Sequence, residues 1–327
     1  MSAYGFPASS STGVPAGLFN YSRRASSRDI NEHAAHMSGW RMTYDQMSAG
    51  SFHGELVEFC LDWMQIVRDR TNQAMVKKGA ARPGTIAFNI PLRCAGNVYC
   101  AGHAVPNGSA LVVHADDLPQ LRAPREVDVI VVSIEQAVLE RELELHNISF
   151  KSAHLPKLYQ IEQLTVAQQL KALMDQFECE AFDIQDWLGD ELRRHQMRDA
   201  IMTQLLDLLP SEPPVELAPS ARKRLVDRAC EYALSHLEEP LTILDLCRHL
   251  GASRRKLQYC FQETLEINPV AYLRALRLNA VRRELRDGAA PASVQDVATR
   301  WGFWHLSRFS SEYREMFGEC PSQTLNR

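Results

Sequence analysis

The C-terminal half of the chain repeats itself with an offset of 51 residues. The match aligns Thr242, Ile243, Asp245, Leu246, Cys247, Leu250 and Gly251 with Ser293, Val294, Asp296, Val297, Ala298, Trp301 and Gly302. After one inserted residue, Leu257 and Phe261 fall on Phe309 and Tyr313. Each unit predicts a capped short helix, a glycine turn and a second helix with an inward apolar pair. This pattern is typical of a helix-turn-helix, here present twice, at 243–263 and 294–313.

The segment between the two units, "NPVAYLRALRLNAVRRELRDG", predicts one long helix. Asn268 is placed to cap it, Pro269 suits its first turn, and Asp287 with Gly288 suits its end. About 18 helical residues at roughly 1.5 Å each give a rod of about 27 Å. A rod of that length can hold two reading helices about one DNA turn, on the order of 34 Å, apart.

The second helix of the first unit lies in "LDLCRHLGASRRKLQYCF", where Ser253 is a good N-cap. Leu257, Cys260 and Phe261 are spaced to face inward. The opposite face then carries Arg254, Arg255, Gln258, Tyr259 and Gln262, with Lys256 on the flank. Arg can bind guanine and Gln can bind adenine through two hydrogen bonds, so this face suits a major groove. Lys256 is better placed for a backbone phosphate.

The second reading helix, predicted at about 305–313, presents Ser307, Arg308 and Ser311 outward. Its outward face is chemically poorer than that of the first unit. We therefore expect the first unit to contribute more of the base discrimination. The aromatic cluster beside this helix suits core packing better than base stacking; its members are Trp301, Phe303 and Trp304.

The N-terminal half shows a different pattern. Residues 1–35 begin with a Ser-, Ala- and Gly-rich stretch without periodicity, which predicts a flexible tail. Strand-like runs such as "TIAFNIPL" and "VDVIVVSI" at 52–135 predict a small β-barrel or sandwich. Helical periodicity follows at 160–209, with an apolar stripe that must pack on the β domain or on a second copy. Four prolines in 210–219 mark a linker.

Charge divides unevenly between the halves. Residues 219–327 contain 17 Lys and Arg and 13 Asp and Glu. Of the totals of 36 basic and 40 acidic residues, 19 and 27 therefore lie in residues 1–218. This asymmetry predicts an anionic partner for the C-terminal part. No secretion signal or membrane span is evident, and no CxxC pair occurs, so we expect a cytoplasmic protein with reduced thiols. The cysteines are Cys60, Cys94, Cys100, Cys179, Cys230, Cys247, Cys260 and Cys320.

Residues for catalysis are not evident in the sequence. A metal enzyme of the cupin type needs a His-x-His pair with further ligands, whereas His53, His103 and His114 are isolated. The "HAAH" at 33–36 lies beside the predicted tail and lacks companion ligands. No phosphate-binding glycine loop or nucleophile elbow occurs. We therefore predict no catalytic residue and no metal site.

The C-terminal 100 or so residues resemble the AraC/XylS family of bacterial transcription regulators. The resemblance covers 220–325 and includes both units, the central helix and the ending "GFWHLSRFSSEYREMFGECPS". The family's base-reading positions fall on Arg255, Gln258 and Tyr259 in the first unit and on Ser307, Arg308 and Ser311 in the second. Three residues depart from the family pattern. Tyr259 stands where a basic residue is common, Trp304 replaces a small polar residue, and Tyr313 replaces Phe.

The resemblance implies promoter DNA and RNA polymerase as partners, a homodimer, and a role as an activator. Within the family, "WRMTYDQMSAGSFHGEL" in the front half resembles the branch that regulates ethanolamine-utilisation operons. That resemblance implies ethanolamine with adenosylcobalamin as effector.

We expect an α+β protein of two domains. A cupin-like β-barrel domain with helices at 36–209 senses a ligand and dimerises, and an all-α domain at 220–327 binds DNA. The alternative is a β-barrel enzyme or protein-interaction module fused to a helix-turn-helix domain that binds DNA without sequence preference.

Overall fold

The computed structural model describes residues 20–116, 118–148, 156–160, 165–178, 184–209, 215–236, 242–287 and 293–326. Most of the predicted tail, residues 1–19, lies outside the described residues. The rest of the predicted tail is folded. Tyr21–Ser27 forms strand β1, and Ile30–Ala35 forms helix α1, which Asp29 caps through the backbone N–H groups of Asn31 and Glu32. The sequence prediction therefore extended the tail too far.

Thirteen strands are present in the described part of the chain, and all their pairings are antiparallel. After β1 they are β2 (Arg41–Gln46), β3 (Gly54–Leu61), β4 (Met64–Thr71), β5 (Met75–Ala80), β6 (Thr85–Cys94), β7 (Val98–Cys100), β8 (His103–Val105), β9 (Ser109–His114), β10 (Leu118–Ala123), β11 (Val127–Glu135), β12 (Lys157–Gln160) and β13 (Val215–Glu216). One sheet has the order β1-β3-β4-β11-β6-β9-β12-β13, and the other has the order β2-β5-β10-β7-β8. Among the described residues neither sheet closes on itself. The β-rich domain was predicted correctly, but its hydrogen bonding is that of two open sheets and not of a closed barrel.

Strand β11 shows why the sheets stack. Ile130, Val132 and Ile134 point to one face of the larger sheet and join a core beneath helices. Val127 and Val131 point to the other face and join a core shared with the smaller sheet. Successive side chains of a strand point to opposite faces, and β11 has apolar residues on both faces, so it must be covered on both sides.

The run "FHGELVEFCLDWMQIV", within the segment predicted to form strands, contains the turn of a hairpin. Strands β3 and β4 pair from Gly54 with Thr71 to Leu61 with Met64. The turn between them contains Asp62 at φ 52°. Asp tolerates this left-handed conformation better than most residues, and such turns match the twist of paired strands.

Four helices of the described chain come after β11: α2 (Gln136–Leu145), α3 (Thr165–Glu178), α4 (Ile184–Gly189) and α5 (Glu191–Leu208). Ile201 and Leu205 of the predicted apolar stripe are buried in the core beneath this sheet, whereas Leu192 is 63% exposed. Most of the stripe therefore packs on its own domain and is not free for a second copy. No helix of the described residues is long and apolar enough to cross a membrane.

The C-terminal part is helical in all its described elements. The predicted linker lies partly outside the described residues, and Val215–Glu216 of that segment is strand β13. The helices beyond it are α6 (Ala221–Ser235), α7 (Ile243–Leu250), α8 (Arg254–Leu265), α9 (Pro269–Asp287), α10 (Val294–Arg300), α11 (Leu306–Phe317) and α12 (Pro321–Leu325). The Asn268 side chain accepts a hydrogen bond from the Ala271 N–H at 2.9 Å, so it caps α9 as the sequence indicated.

Candidate nucleic-acid interface

Each helix-turn-helix unit begins with a capping box. The Thr242 N–H donates to the Asp245 carboxylate at 3.0 Å, and the Asp245 N–H donates to the Thr242 hydroxyl at 3.3 Å. Ser293 and Asp296 repeat both bonds, each at 3.1 Å. Hydrogen bonds donated by the Thr242 and Ser293 side chains lower the pKa values of the two aspartates. The sequence thus fixes equivalent starts for α7 and α10.

Both units then turn on a glycine in the left-handed region. Gly251 has φ 62° and Gly302 has φ 78°. A side chain at either position would meet the strain of that conformation, so glycine suits the turn. The helices that follow, α8 and α11, have 12 residues each. Their inward residues are buried: Leu257, Phe261, Phe309 and Tyr313. The structure therefore contains both helix-turn-helix units that the sequence repeat predicted.

Helix α8 presents its basic face to solvent. The Ser253 hydroxyl accepts from the Lys256 N–H at 3.2 Å and caps the helix. Leu257 and Cys260 face the core, as their spacing predicted. The predicted DNA-contacting residues are all exposed: Arg254, Arg255, Lys256, Gln258 and Tyr259. Helix α8 thus brings all five together on one solvent-facing surface, where a major groove could meet them.

Helix α11 presents Ser307, Arg308 and Ser311 to solvent, also as predicted. Two of these groups already have partners within the helix. The Arg308 guanidinium donates to Glu312 at 2.9 Å, and the Ser311 hydroxyl donates to the Ser307 carbonyl at 3.1 Å. Helix α11 also begins without a side-chain cap at His305. The outward face of α11 therefore has fewer hydrogen-bond donors than that of α8, and two of its three predicted DNA-contacting side chains already form hydrogen bonds within the helix.

The two units differ in how their cations are neutralised. Arg254, Arg255 and Lys256 form no ion pair with a carboxylate in the part of the chain that the structure describes. In the second unit Glu312 contacts both Arg308 and Arg274, and Glu284 pairs with Arg300 at 2.7 Å. Unpaired cations attract phosphate more strongly than cations already bound to carboxylates. The outward face of α8 therefore carries three cations without an ion pair, whereas on α11 Arg308 is paired and Arg314 alone is unpaired among the described residues.

The aromatic cluster beside α11 divides between core and surface. Phe303 is buried, and the Trp301 indole donates to Glu284 at 2.5 Å. Trp304 is 50% exposed next to the start of α11. Core packing was the correct prediction for Phe303, whereas it was wrong for Trp304.

Helix α9 does more than separate the two units, because it packs against the N-terminal part. The Asn279 amide exchanges two hydrogen bonds with the backbone of Gln46, both at 2.8 Å and both buried. Arg282 binds Asp29 at 2.6 Å, and Arg283 binds Asp45 at 2.6 Å. Burial alone would raise the pKa of Asp29, but the Arg282 charge and its hydrogen bonds lower it. These contacts join residues more than 230 positions apart, so no local pattern could indicate them.

The end of α8 is tied to the same part of the molecule through Glu266. This residue closes the helix at φ 52°, a conformation that is rare for glutamate. Its carboxylate accepts from Asn97 at 2.7 Å, Tyr99 at 2.8 Å and Arg122 at 3.0 Å. Burial raises its pKa, but the hydrogen bonds from Asn97 and Tyr99 together with the charge and hydrogen bond of Arg122 lower it below its usual value. The first reading helix is thus anchored to β7 and β10.

The histidines weighed as metal ligands do not come together. The His103 ring contacts the Ala218 carbonyl at 2.7 Å, and His53 is an exposed residue. His33, from the "HAAH" segment, is buried and lies 2.8 Å from the Asp69 carboxylate, which also binds Lys77. Within the described ranges no three His, Cys, Asp or Glu side chains are grouped so that they could hold a metal ion.

Sequence reasoning missed the arginines of α6. The segment "ARKRLVDR" at the start of this helix carries four cations in eight residues. In the structure the Arg222 guanidinium lies 5.2 Å from the centre of the Tyr259 ring, beside the reading face of α8. The density of cations on this helix was the available signal.

Comparison with known proteins supports the helix-turn-helix interpretation. A family model described as "Helix-turn-helix domain" matches residues 246–327. A probable thc operon regulatory protein of Rhodococcus erythropolis is 38% identical over 102 residues, which is 31% of each chain. The chain therefore spans under a third of that relative's length. The XylDLEGF operon transcriptional activator 2 of Pseudomonas putida is 30% identical over 133 residues, which is 38% of this chain and 80% of the relative.

A solved structure of a probable AraC family transcriptional regulator from Rhodopseudomonas palustris is 36% identical. The match covers 32% of this chain and 96% of that one, with a TM-score of 0.30. The identity and coverage shared with the Pseudomonas putida activator are sufficient to assign the family. The chain belongs to the AraC/XylS family of transcription regulators.

Proposed function

We propose that the protein is a transcription regulator that binds a specific DNA sequence through α8 and α11. The observation that carries this proposal is the duplicated helix-turn-helix unit whose first reading helix exposes a free basic face. Helix α9 has 19 residues, and at roughly 1.5 Å each it measures about 28 Å. That separation suits two reading helices in adjacent major grooves of one duplex.

Base reading is assigned mainly to Arg255 and Gln258. Both are exposed in the N-terminal half of α8, from which side chains reach base edges when a recognition helix enters the major groove. Tyr259, also exposed, carries an apolar ring suited to a thymine methyl group. On α11 the same role falls to Ser307, Arg308 and Ser311, with weaker discrimination because Arg308 is already paired.

The test begins with in vitro selection of a preferred duplex from a randomised library, using the full chain. Arg255→Ala and Gln258→Ala should each weaken binding to the selected duplex by roughly 1–3 kcal/mol, or about 5- to 150-fold. Binding to random DNA should change much less. A matched control is Arg141→Ala, which removes one exposed charge from α2. Equal weakening on selected and random DNA would favour the alternative, in which an enzyme or interaction module carries a nonspecific DNA-binding domain.

Control by the N-terminal part is proposed to pass through its direct contacts with α8 and α9. The contacts of Asp29, Asp45 and Gln46 with α9 offer a direct path for such control. A ligand that shifts β2 would move these groups relative to α9. Such a shift would change the orientation of both reading helices, because α9 joins them.

The effector, the homodimer, RNA polymerase as partner and the activator role remain predictions. The Pseudomonas putida relative is named as a transcriptional activator, which supports activation. The resemblance to ethanolamine regulators makes ethanolamine with adenosylcobalamin the first candidate effector to test. Sedimentation of the full chain tests the dimer, and a change of affinity for the selected duplex on adding both compounds tests the effector.

The coupling path has its own variant. Arg283→Gln removes the ion pair with Asp45, and Arg314→Gln is a matched control because Arg314 is exposed and unpaired among the described residues. If the wild-type chain responds to effector, Arg283→Gln should bring the ratio of affinities with and without effector towards one. A full response in Arg283→Gln would contradict this path.

A further inference from the structure

A groove of about 250 Å³ lies between α6 and α8. Its walls carry four cationic side chains, from Arg222, Arg224, Arg228 and Lys256. The remaining lining comes from the small or apolar residues Ala221, Leu225 and Cys260, and none of the acidic residues that the structure describes contributes. A concave site with four cations and no carboxylate is suited to an anion.

The cations of this groove are available to a ligand. Arg222, Arg228 and Lys256 are exposed and form no ion pair with a carboxylate among the residues that the structure describes. Arg224 donates to the Pro219 carbonyl at 2.6 Å, which holds its guanidinium near the start of α6. Lys223 on the same helix is different, because it is buried and paired with Asp227. Helix α6 therefore directs one cation inward and three towards the groove.

The groove continues the reading face of α8. Lys256 belongs to both surfaces, since it flanks the outward face of α8 and lines the groove. The Arg222 guanidinium lies over the Tyr259 ring at 5.2 Å, which places this cation beside a predicted base-reading residue. A duplex whose bases meet α8 must bring its sugar-phosphate backbone past the flank of that helix.

We propose that the groove between α6 and α8 binds one or two backbone phosphates of DNA next to the bases that α8 reads. Arg222, Arg228 and Lys256 hold the phosphate oxygens, and Arg224 adds charge at the rim. The groove supplies affinity and register, whereas Arg255 and Gln258 supply sequence preference. This inference rests on the proposed function, because it takes DNA as the partner.

The experiment compares the full chain with the double variant Arg222→Ala/Arg228→Ala and with Lys256→Ala. The matched control for the double variant is Arg24→Ala/Arg141→Ala, which removes the same charge from exposed positions of β1 and α2. Binding to the selected duplex and to a random duplex is measured at salt concentrations from roughly 50 to 200 mM. Over this range, affinity that depends on phosphate contacts falls steeply. Circular dichroism confirms that each variant is folded.

We expect each lost cation to weaken binding roughly two- to fivefold, and by the same factor on both duplexes. The slope of log affinity against log salt should fall by about 0.9 for each phosphate contact removed. Variants that bind like the control, with an unchanged slope, would overturn the proposal. Weakening confined to the selected duplex would overturn it as well, because that result assigns base reading to the groove.

A second arm locates the phosphates. Selected duplexes carrying one neutral methylphosphonate at a time identify the phosphates that wild-type protein needs. At the phosphate bound by the groove, the neutral group should weaken the wild-type complex but have little further effect on the double variant. Additive effects at every position would contradict the proposal. Preferential competition by inorganic phosphate over other salts at equal ionic strength would assign the groove to a small free anion and also overturn it.

The two proposals fail separately. If Arg255→Ala weakens selected and random DNA equally while the groove variants behave as expected, sequence reading fails and the phosphate groove stands. If Arg255→Ala discriminates and the groove variants match their control, the groove proposal fails and the regulator proposal stands.

Discussion

The two helix-turn-helix units have the same interior and different surfaces. Capping boxes, glycine turns and buried apolar pairs occupy equivalent positions, 51 or 52 residues apart. Outside, α8 carries three cations in a row that have no ion pair among the described residues, while Arg308 on α11 is paired with Glu312. A repeat can therefore keep its fold while one copy becomes the stronger electrostatic contact. The interior is constrained by packing density, whereas the exposed positions are free to change.

The largest effect should come from the shared interior. Leu257→Ala in the first unit and Phe309→Ala in the second remove side chains that are 0% and 1% exposed. Large-to-small substitutions of this kind cost roughly 2–5 kcal/mol for Leu and 3–5 kcal/mol for Phe. Urea denaturation of the full chain should show losses of similar size in both units. A loss below about 1 kcal/mol in either unit would contradict the equivalence of the two cores.

The next effect should reveal the difference between the surfaces. Arg255→Ala should weaken binding to the selected duplex by roughly 1–3 kcal/mol. Arg308→Ala should cost less than about 1 kcal/mol, because that side chain must first leave Glu312. Fluorescence anisotropy with the selected duplex measures both. A larger loss for Arg308→Ala than for Arg255→Ala would reverse the comparison.

The turn glycine should give a smaller effect. Gly251 has φ 62°, and a Cβ placed there would have no atom within 4 Å, so only backbone strain opposes a side chain. Gly251→Ala should lower the free energy of unfolding by about 1–2 kcal/mol. Gly251→Asn should cost less, since Asn tolerates the left-handed region better. Thermal denaturation distinguishes them, and an equal loss in both variants would count against strain as the cause.

The smallest effect should come from releasing the paired arginine. Glu312→Gln removes the carboxylate that neutralises Arg308 and Arg274, so the second unit should become more like the first. We expect affinity for DNA to rise by up to about fivefold, which corresponds to roughly 1 kcal/mol. The rise should vanish in Glu312→Gln/Arg308→Ala if Arg308 is responsible. An unchanged or weaker affinity would show that this pairing does not limit the second unit.

The sequence predicted the parts of the molecule that local signals determine. Thr242 with Asp245, Gly251 and the spacing of Leu257 to Phe261 define the first unit within about 20 residues, and the repeat doubles the evidence. Asn268 and Pro269 likewise indicated the start of α9. Each signal involves residues that are neighbours in the chain, so it can be recognised without knowledge of tertiary contacts.

Other parts depend on contacts between distant residues, which the sequence pattern does not contain. The segment "YSRRASS" has no apolar alternation, yet it forms β1 because β3 supplies its hydrogen bonds. The ion pair of Asp29 with Arg282 joins residues 253 positions apart. The cations of α6 are evident in the sequence, but the position of Arg222 beside Tyr259 is not, because the two residues lie on different helices.

The most direct measurement is a base-by-base interference footprint of the full chain on its selected duplex. Two clusters of sensitive base pairs should appear on one face of the DNA, separated by about one helical turn of roughly 10 base pairs. Interference should be stronger in one cluster, and Arg255→Ala should abolish sensitivity in that cluster alone. A single cluster, or two clusters that respond equally to Arg255→Ala, would contradict a tandem reader with a dominant first unit.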